Sequence, residues 1–251
     1  MIKINGAAAD ASALASRFSE GSVERSIINT LAASDAVYSY ASEEELMFEL
    51  RLRREIINAA NELHKSRLAF AVFRESEANP NYWKRTEEGG FQLKDDVLPS
   101  EAIKDIYVNG GQYATECATA MQIVYLKAIL SIFGENRFNK SFKNLYLMNW
   151  HNIHPNLQDI GRMRSADDHL PGDRRYFANP DVDPETPEWQ GENVIDLSND
   201  QYYGHGMGKR SGEDIIAALN RHRREDAEEK AFLMQSVGRP NFKRLFALSS
   251  Q

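Results

Sequence analysis

The chain has 251 residues, of which 42% are hydrophobic, and a formal net charge of −7. A chain of this length buries roughly three quarters of its unfolded surface, so it needs no disulfide or structural metal to hold a core. The acidic balance argues against general nucleic-acid binding, which requires a net basic surface. No apolar run reaches the ~18 residues of a membrane span. We therefore predict a globular protein that binds neither nucleic acid nor membrane.

The first forty residues carry few structural signals. Ile2 and Ile4 can start a short strand, and the Ala- and Ser-rich segment 7–29 is expected to be partly helical or loosely attached. Asp10 and Ser12 interrupt the apolar core that a signal peptide would need, so we expect no export by that route. The single cysteine excludes an internal disulfide, which fits folding in the cytoplasm.

A strong helix signal begins at Ser42. Ser42 and Glu45 form a capping-box pattern, and the acidic residues between them suit a helix N-terminus. Apolar side chains then recur at helical spacing on one face, at Phe48, Leu52, Ile56, Ala59 and Leu63. We predict a long amphipathic helix here.

Short strands and one short helix are predicted next. The segments 68–73, 82–85 and 91–93 are apolar or aromatic and are bounded by turn residues, which is typical of strands. Pro99 opens a short helix that ends at Gly110.

The second half of the chain is predicted to consist mostly of strands. The expected strands are 144–150, 174–177, 193–197 and 201–205. A polar loop is expected at 151–172. A last helix starts near Ser211 and is expected to run on through the charged segment 223–230. Helices followed by strands indicate an α+β fold rather than alternating βαβ units.

The stretch 110–134 carries the main functional question. It is a long apolar segment with the only cysteine, Cys117, in its first turn. Free cysteine is among the most buried residue types, so Cys117 can be a packing residue. Near a helix N-terminus, however, unpaired amides and the helix dipole stabilise a thiolate. A thiol there, ahead of strands that carry a base, is the papain-like arrangement, in which the sulfur attacks a carbonyl and forms a thioester.

A base would have to come from a histidine or a carboxylate. His205 is flanked by Gly204 and Gly206, which permit a close approach of backbone or substrate, although a plain turn histidine fits as well. Glu116 adjoins the cysteine. Glu192 immediately precedes the predicted core strand 193–197, where desolvation would raise its pKa toward that of a general base, although edge glutamates are more often solvated.

Two further patterns lack the context that would make them sites. The glycines from Gly204 to Gly208 do not have GxGxxG spacing, and no βαβ unit surrounds them. His151 and His154 have metal-like spacing but no cysteine or acidic cluster at ligand distance along the chain. We therefore expect neither a phosphate loop nor a metal site.

Several blocks of residues match one known family, in the same order and at nearly the same spacing over roughly residues 43–210. The main blocks are Glu116–Ala120, Trp150-His151, Trp189-x-Gly191-Glu192-Asn193-Val194-Ile195 and His205-Gly206-x-Gly208, with support from Glu45–Arg53, Leu63–Ser66, Tyr82-Trp83 and Pro99–Ile103. In these blocks the chain resembles the spore-coat protein-glutamine gamma-glutamyltransferases of spore-forming bacilli. Ala114-Thr115, where the family has an aromatic residue, and the loop after Trp150 depart from the pattern.

The resemblance implies a single compact papain-like α+β domain over residues 1–251, with the nucleophile near the N-terminus of a central helix. The motif-bearing core would span 43–210, and segment 1–40 matches the family poorly. The implied reaction transfers the γ-acyl group of a protein glutamine to a lysine ε-amine and releases ammonia. It would need no calcium or other cofactor.

The resemblance also assigns roles to individual residues. Cys117 would be the nucleophile and Glu192 its partner, while Glu116 would share or substitute for that role. His205 would lie in the same site, inside a tunnel through the protein. A Cys–Glu pair thus replaces the Cys–His pair that a papain-like arrangement suggests.

Transfer to an amine has to outcompete transfer to water. The site must therefore exclude water and hold the amine near the thioester. Trp150 and Trp189 fit as walls that contact the substrate, and they fit equally well as core residues.

The expected substrates are spore-coat proteins, which would supply both the glutamine and the lysine. The protein would be made in the cytoplasm of the sporulating cell and then join the spore coat. Two alternatives stay open. One is a papain-like cysteine amidase or protease that uses the same thiol, because both chemistries pass through a thioester. The other is a non-catalytic structural protein of the coat.

Overall fold

Helices supply most of the regular structure. The computed structural model describes residues 1–166 and 168–250. The helices within these residues are α1 (Ala11–Ser16), α2 (Val23–Ala33), α3 (Glu43–Lys65), α4 (Pro99–Val108), α5 (Cys117–Phe133), α6 (Glu135–Ser141), α7 (Gly212–Asn220) and α8 (Phe242–Ser249). None of these helices is both long and apolar enough to cross a membrane.

The strands are short and form several small sheets. In chain order they are β1 (Ile2–Ile4), β2 (Ala7–Ala8), β3 (Tyr38–Tyr40), β4 (Ala69–Phe70), β5 (Trp83–Arg85), β6 (Phe91–Leu93), β7 (Ala114–Thr115), β8 (Tyr146–Leu147), β9 (Arg164–Ser165), β10 (Arg174–Ala178), β11 (Gly191–Asp196), β12 (Gln201–Gly204), β13 (Gly208–Ser211), β14 (Phe232–Leu233) and β15 (Ser236–Val237). The largest sheet is antiparallel, with the strand order β13-β12-β11-β10-β14. The predicted α+β class is confirmed.

Helix α3 begins at the predicted cap. Ser42 Oγ accepts a hydrogen bond from the Glu45 N–H at 3.3 Å, and the Glu45 carboxylate accepts from the N–H of Ala41. Phe48, Leu52 and the apolar residues that follow at helical spacing are buried against α5. The cap fixes where the helix starts, and the apolar stripe fixes which face it buries.

Helix α5 is the centre of the core. Its side chains are apolar around most of its circumference, which is typical of a helix that is covered on all sides. It packs against α3, α4, α6 and β11. It ends at Gly134, whose φ of +70° lies in the region that glycine reaches without strain. The first residue of α5 therefore emerges from a rigid, buried scaffold.

The first forty residues pack firmly onto the rest of the chain. Strand β1 pairs in parallel with β3, and Ile27, Ile28 and Leu31 of α2 form a buried cluster with Leu46 and Leu50 of α3. The segment 7–29 is partly helical, as one of the two expectations has it. The alternative of a loose attachment is wrong, because the apolar face of α2 packs on α3.

Two predicted strands are shorter than expected. Only Ala69–Phe70 of the segment 68–73 is a strand, which pairs in parallel with β7 before the chain turns into a 3-10 helix. Only Tyr146–Leu147 of the segment 144–150 is a strand. Asn144 and Asn149 both have a positive φ, which takes the backbone out of the extended conformation on either side of β8.

The predicted helix over 223–230 is also wrong. Helix α7 ends at Asn220, and the chain then wraps around Asp181. Asp181 pairs with Arg224 and accepts hydrogen bonds from the N–H groups of Glu228 and Glu229 at 2.7 Å. These tertiary contacts satisfy the backbone in place of helical hydrogen bonds.

Candidate active site

The single thiol lies at the first residue of the central helix. Cys117 follows Glu116, which is the N-cap of α5. Glu116 Oε2 accepts from the N–H of Ala118 at 2.6 Å, and Oε1 accepts from the N–H of Thr119 at 2.7 Å. Both oxygens of the carboxylate next to the thiol are thus already engaged with the backbone of the first helical turn.

Cys117 is half-buried in the wall of a cavity of about 650 Å³. The same cavity is lined by every side chain that the sequence nominated for the site, namely Glu116, Cys117, Trp150, Trp189, Glu192 and His205. These residues are distant in sequence and come from the helix, the large sheet and two connecting segments. The fold therefore brings all six together.

Glu192 is a buried carboxyl with a free oxygen. It is 6% exposed in β11, and its Oε1 has no hydrogen-bond partner among the described residues. It lies against Gly204 of β12, where an added Cβ would come within 2.7 Å of Oε1. Burial, and then the negative charge of Glu116, raise the pKa of Glu192 well above its ordinary value. This carboxyl therefore binds a proton much more readily than a solvated glutamate does.

The pKa of the Cys117 thiol is also raised, to about 12. Burial is the largest cause, followed by the negative charges of Glu192 and Glu116, while hydrogen bonds from Asn193 act in the opposite direction. The helix N-terminus alone would lower this pKa. In the folded protein, burial and the two nearby carboxyls act against that effect.

His205 is a neutral residue that holds backbone groups. Its Nε2 lies 3.1 Å from both the Ala69 and the Thr115 carbonyl oxygens, and because carbonyls only accept, Nε2 carries the proton. Its Nδ1 then accepts from the Tyr203 hydroxyl at 3.4 Å. Burial lowers the pKa of His205 to about 4. His205 therefore ties β4 to β7, and no hydrogen bond joins it to Cys117 among the described residues.

Asn193 contacts the sulfur and was missed as a site residue. Its Nδ2 lies 3.4 Å from Cys117 Sγ. The alternation of side chains along a strand could have identified it. Ile195 packs in the core cluster around α5, whereas Val194 packs in the cluster around α7. A period of two places Asn193 on the same face as Ile195, toward the helix that carries the thiol.

The two tryptophans are both wall and packing residues. Each is half-buried and lines the cavity. Trp150 lies under the guanidinium of Arg174, at 4.1 Å from its ring centroid. Trp189 stacks on His222 with ring centroids 3.9 Å apart. The second face of each ring is thus supported by another planar group, which fixes the ring orientation at the cavity.

No group of three or more His, Cys, Asp or Glu side chains is placed to hold a metal ion within residues 1–166 and 168–250. His154 instead packs on Phe142, with ring centroids 4.9 Å apart.

Comparisons with known proteins agree with the geometry. Residues 1–249 match the family described as protein-glutamine gamma-glutamyltransferase. Relatives of that name from Bacillus cereus (strain 03BB102) and Bacillus anthracis are each 45% identical over 216 residues, which cover 86% of this chain and 77% of the relative. The solved structure of a transglutaminase from Geobacillus stearothermophilus, without its C-terminal extension, has a TM-score of 0.77 and 46% identity, and covers 82% of this chain and 98% of that one. The chain therefore belongs to the protein-glutamine gamma-glutamyltransferase family.

Proposed function

We propose that this protein cross-linking transglutaminase works through a thioester on Cys117, with Glu192 as the group that gives and takes protons. The observation that carries the proposal is one cavity that holds both a thiol at a helix N-terminus and a buried carboxyl with a free oxygen. The negative charge of Glu192 raises the pKa of the Cys117 thiol, so the two groups titrate as a pair and share a proton.

In the first half-reaction, the Cys117 thiol gives its proton to Glu192 and the sulfur attacks the γ-carboxamide carbon of a protein glutamine. The tetrahedral adduct breaks its C–N bond, and the nitrogen takes the proton back from Glu192 and leaves as ammonia. The raised pKa suits Glu192 to this step, because the group has to accept a proton and then give it up at neutral pH.

In the second half-reaction, a neutral lysine ε-amine attacks the thioester carbon. Its excess proton passes to Glu192, and the C–S bond breaks. The sulfur then recovers that proton, which leaves an amide bond between the two side chains and restores the resting pair. Glu192 therefore acts as base and acid once in each half-reaction.

Glu116 and His205 have supporting roles in this proposal. Glu116 caps α5 with both oxygens, which leaves Glu192 as the freer proton carrier. His205 is neutral and fully occupied, so it positions the strands beside Cys117 and carries no proton in the reaction.

Trp150 and Trp189 form walls that keep water from the thioester. Both present ring surface to the cavity, and each ring is held by a stacked neighbour. Exclusion of water favours the amine over hydrolysis because the competing nucleophile is kept away from the acyl carbon.

The proposed substrates are proteins of the spore coat, and the protein would act there after synthesis in the sporulating cell. Support comes from the resemblance of the sequence blocks to spore-coat enzymes and from the Bacillus origin of the relatives. We also propose that the reaction needs no calcium, so that cross-linking of coat proteins continues when EDTA is present.

The test is incubation with a glutamine-containing peptide and a primary amine, followed by mass spectrometry. Wild-type protein should give the amine adduct and ammonia, while Cys117→Ala should give neither and should melt within a few degrees of wild type. Glutamate as the sole product would support the amidase or protease alternative. Adduct formation by folded Cys117→Ala would remove the thiol from the mechanism.

A further inference from the structure

Arg174 is a buried cation without a carboxylate partner. It is 2% exposed, and none of the ion pairs within residues 1–166 and 168–250 involves it. Burial lowers its pKa to about 10, which still leaves the guanidinium charged at neutral pH. A buried charge with no countercharge destabilises a fold. The position of Arg174 beside the thiol therefore calls for a functional reason.

Three contacts fix the guanidinium of Arg174. Its Nε donates to the Ile160 carbonyl at 3.0 Å, and its Nη1 donates to Asn193 Oδ1 at 2.7 Å. Its plane lies over the Trp150 ring. The only side-chain acceptor that the described structure offers to this cation is therefore the amide of Asn193.

The contact with Arg174 determines which way the Asn193 amide faces. The oxygen of an amide accepts and its nitrogen donates. Because Oδ1 accepts from Arg174, the NH₂ group is the end that faces Cys117 Sγ, at 3.4 Å. The amide thus connects a fixed positive charge to the sulfur and polarises the donor that points at it.

The remaining charge around the sulfur is negative or neutral. The titratable side chains that surround the Cys117–Asn193–Arg174 contact are Glu116, Tyr125, Tyr176, Glu188, Glu192 and His205. Among the described residues that line the cavity, Arg174 is the one Lys or Arg side chain. A thiolate at this position would therefore face two nearby carboxyls and a single cation.

We propose that Asn193 is a further catalytic residue of this transglutaminase and that Arg174 is its positioning residue. Together they stabilise negative charge on Cys117 Sγ in the presence of Glu116 and Glu192. This inference rests on the proposed function of Cys117 as the nucleophile.

The step that the pair assists is the proton transfer before acylation. The S–H bond breaks, the proton goes to a carboxyl oxygen of Glu192, and the electron pair stays on sulfur. The Asn193 N–H donates to that electron pair, and Arg174 keeps the amide from turning its oxygen toward it. When the C–S bond forms, the negative charge leaves the sulfur, so the hydrogen bond from the Asn193 amide to the sulfur becomes weaker.

Arg175 offers a matched control. It is the next residue of β10, is 3% exposed and, like Arg174, has no ion pair among the described residues. Its Nη2 donates to the Met234 carbonyl at 2.9 Å, and it does not line the cavity. Replacing it removes an equally buried cation on the other side of the strand.

The test is the pH dependence of alkylation by iodoacetamide, a neutral probe that reacts with thiolate. Cys117 is the only cysteine, so the rate reports this sulfur alone. Arg174→Met should slow alkylation about tenfold at pH 7.5 and shift its pH profile to more alkaline values by about one unit, since one unit is a factor of ten. It should lower kcat much more than it raises KM. Arg174→Lys should lie between wild type and Arg174→Met.

Asn193→Ala should give the same alkaline shift, and adding Arg174→Met to it should produce little further change, because Arg174 acts through the amide. Arg175→Met should keep the wild-type profile. An unshifted profile in folded Arg174→Met, or an equal shift in Arg175→Met, overturns the inference. If Arg174→Met does not fold, an unshifted profile in Asn193→Ala overturns it instead. Full transferase activity of alkylated wild type would instead refute Cys117 as the nucleophile.

Discussion

Two consecutive residues, the one just before β10 and the first one in it, belong to two different clusters of polar and charged side chains. Asp173 joins the paired cluster, which we define as Glu49, Arg53, Asp173 and Arg239. Arg174 joins the reactive cluster, which we define as Glu116, Cys117, Arg174, Glu192 and Asn193. The two clusters adjoin along the chain at Asp173 and Arg174, and they differ in how completely their polar groups are satisfied.

The paired cluster has a countercharge for every charge. Arg53 contacts Glu49 and Asp173 at 2.8 Å, and Arg239 contacts both oxygens of Asp173 at 2.7 Å. Burial alone would raise the pKa of Asp173, but Arg53 and Arg239 hold it below its ordinary value. Such a network stabilises one geometry and leaves no group free to exchange a proton.

The reactive cluster contains polar atoms that are not hydrogen-bonded within the described part of the chain. Glu192 Oε1 and Arg174 Nη2 have no hydrogen-bond partners among the described residues, and the pKa values of Cys117 and Glu192 are both raised. Unsatisfied polar groups cost stability in the resting protein. They can gain partners as charge moves through the proposed reaction, so the comparison separates groups that hold the fold from groups that we propose to react.

The largest expected effect is a loss of kcat, and it should differ between variants of the two carboxyls beside the thiol. Glu192→Gln should lower kcat about 10³-fold, because it removes the proposed proton carrier while keeping the shape of the side chain. Glu116→Gln should lower kcat far less and should reduce stability by about 1 kcal/mol, because it weakens the cap of α5. Steady-state kinetics and urea unfolding of both variants measure the two effects.

Equal losses of kcat in the two variants, with a much larger loss in the double variant, would show that the carboxyls are interchangeable. The distinction drawn from the engaged oxygens of Glu116 would then be wrong.

Asp173→Asn tests the paired cluster. Removing this carboxylate leaves Arg53 and Arg239 short of a countercharge in a buried site, so the free energy of unfolding should fall by about 3 kcal/mol. Below the unfolding transition, the folded fraction should keep its transferase activity. Urea unfolding with parallel activity measurements checks both parts. A large loss of activity in the fully folded variant would show that the paired cluster also contributes to the reaction.

Asp196, at the end of β11, lies outside both clusters and tests through pH how burial acts on a carboxyl. Burial raises its pKa from 3.8 to about 6, and its carboxylate accepts from the Ser198 N–H. A raised folded-state pKa stabilises the protein below the unfolded value and loses that contribution as pH rises through about 6. Wild type should therefore lose about 2 kcal/mol relative to Asp196→Asn between pH 4 and pH 7.

Urea unfolding of the two proteins at pH 4 and pH 7 measures this difference, and groups common to both cancel. A stability difference that does not change with pH would show that Asp196 titrates normally.

The smallest expected effect comes from Gly204→Ala. The new Cβ would lie 2.7 Å from Glu192 Oε1, so the carboxyl has to move although its chemistry is unchanged. We expect kcat to fall about tenfold with little change in the free energy of unfolding. Gly212→Ala, where the nearest atom is the Asp200 carboxylate, serves as a control outside the cavity. Wild-type kinetics for Gly204→Ala would mean that Glu192 tolerates displacement.

Local sequence signals predicted the helices well because their causes are local. The Ser42 cap and the stripe from Phe48 to Leu63 fixed α3, and the apolar run after Cys117 fixed α5. The errors occurred where distant contacts decided the backbone. Asp181 draws the segment 223–230 out of a helix. Asn149 bonds to Thr119 of α5 with a positive φ, which ends β8 early.

The sequence by itself determined the helix that carries Cys117, the α+β class and, through the matching blocks, the six side chains that meet in one cavity. Only the tertiary structure decided how each of them is held there. It engaged Glu116 in the helix cap, left Glu192 with a free oxygen and made His205 a neutral support. It also placed Asn193 against Cys117 and Arg174 against Asn193. Hydrogen-bond partners and burial set these environments, and both depend on residues far apart in the chain.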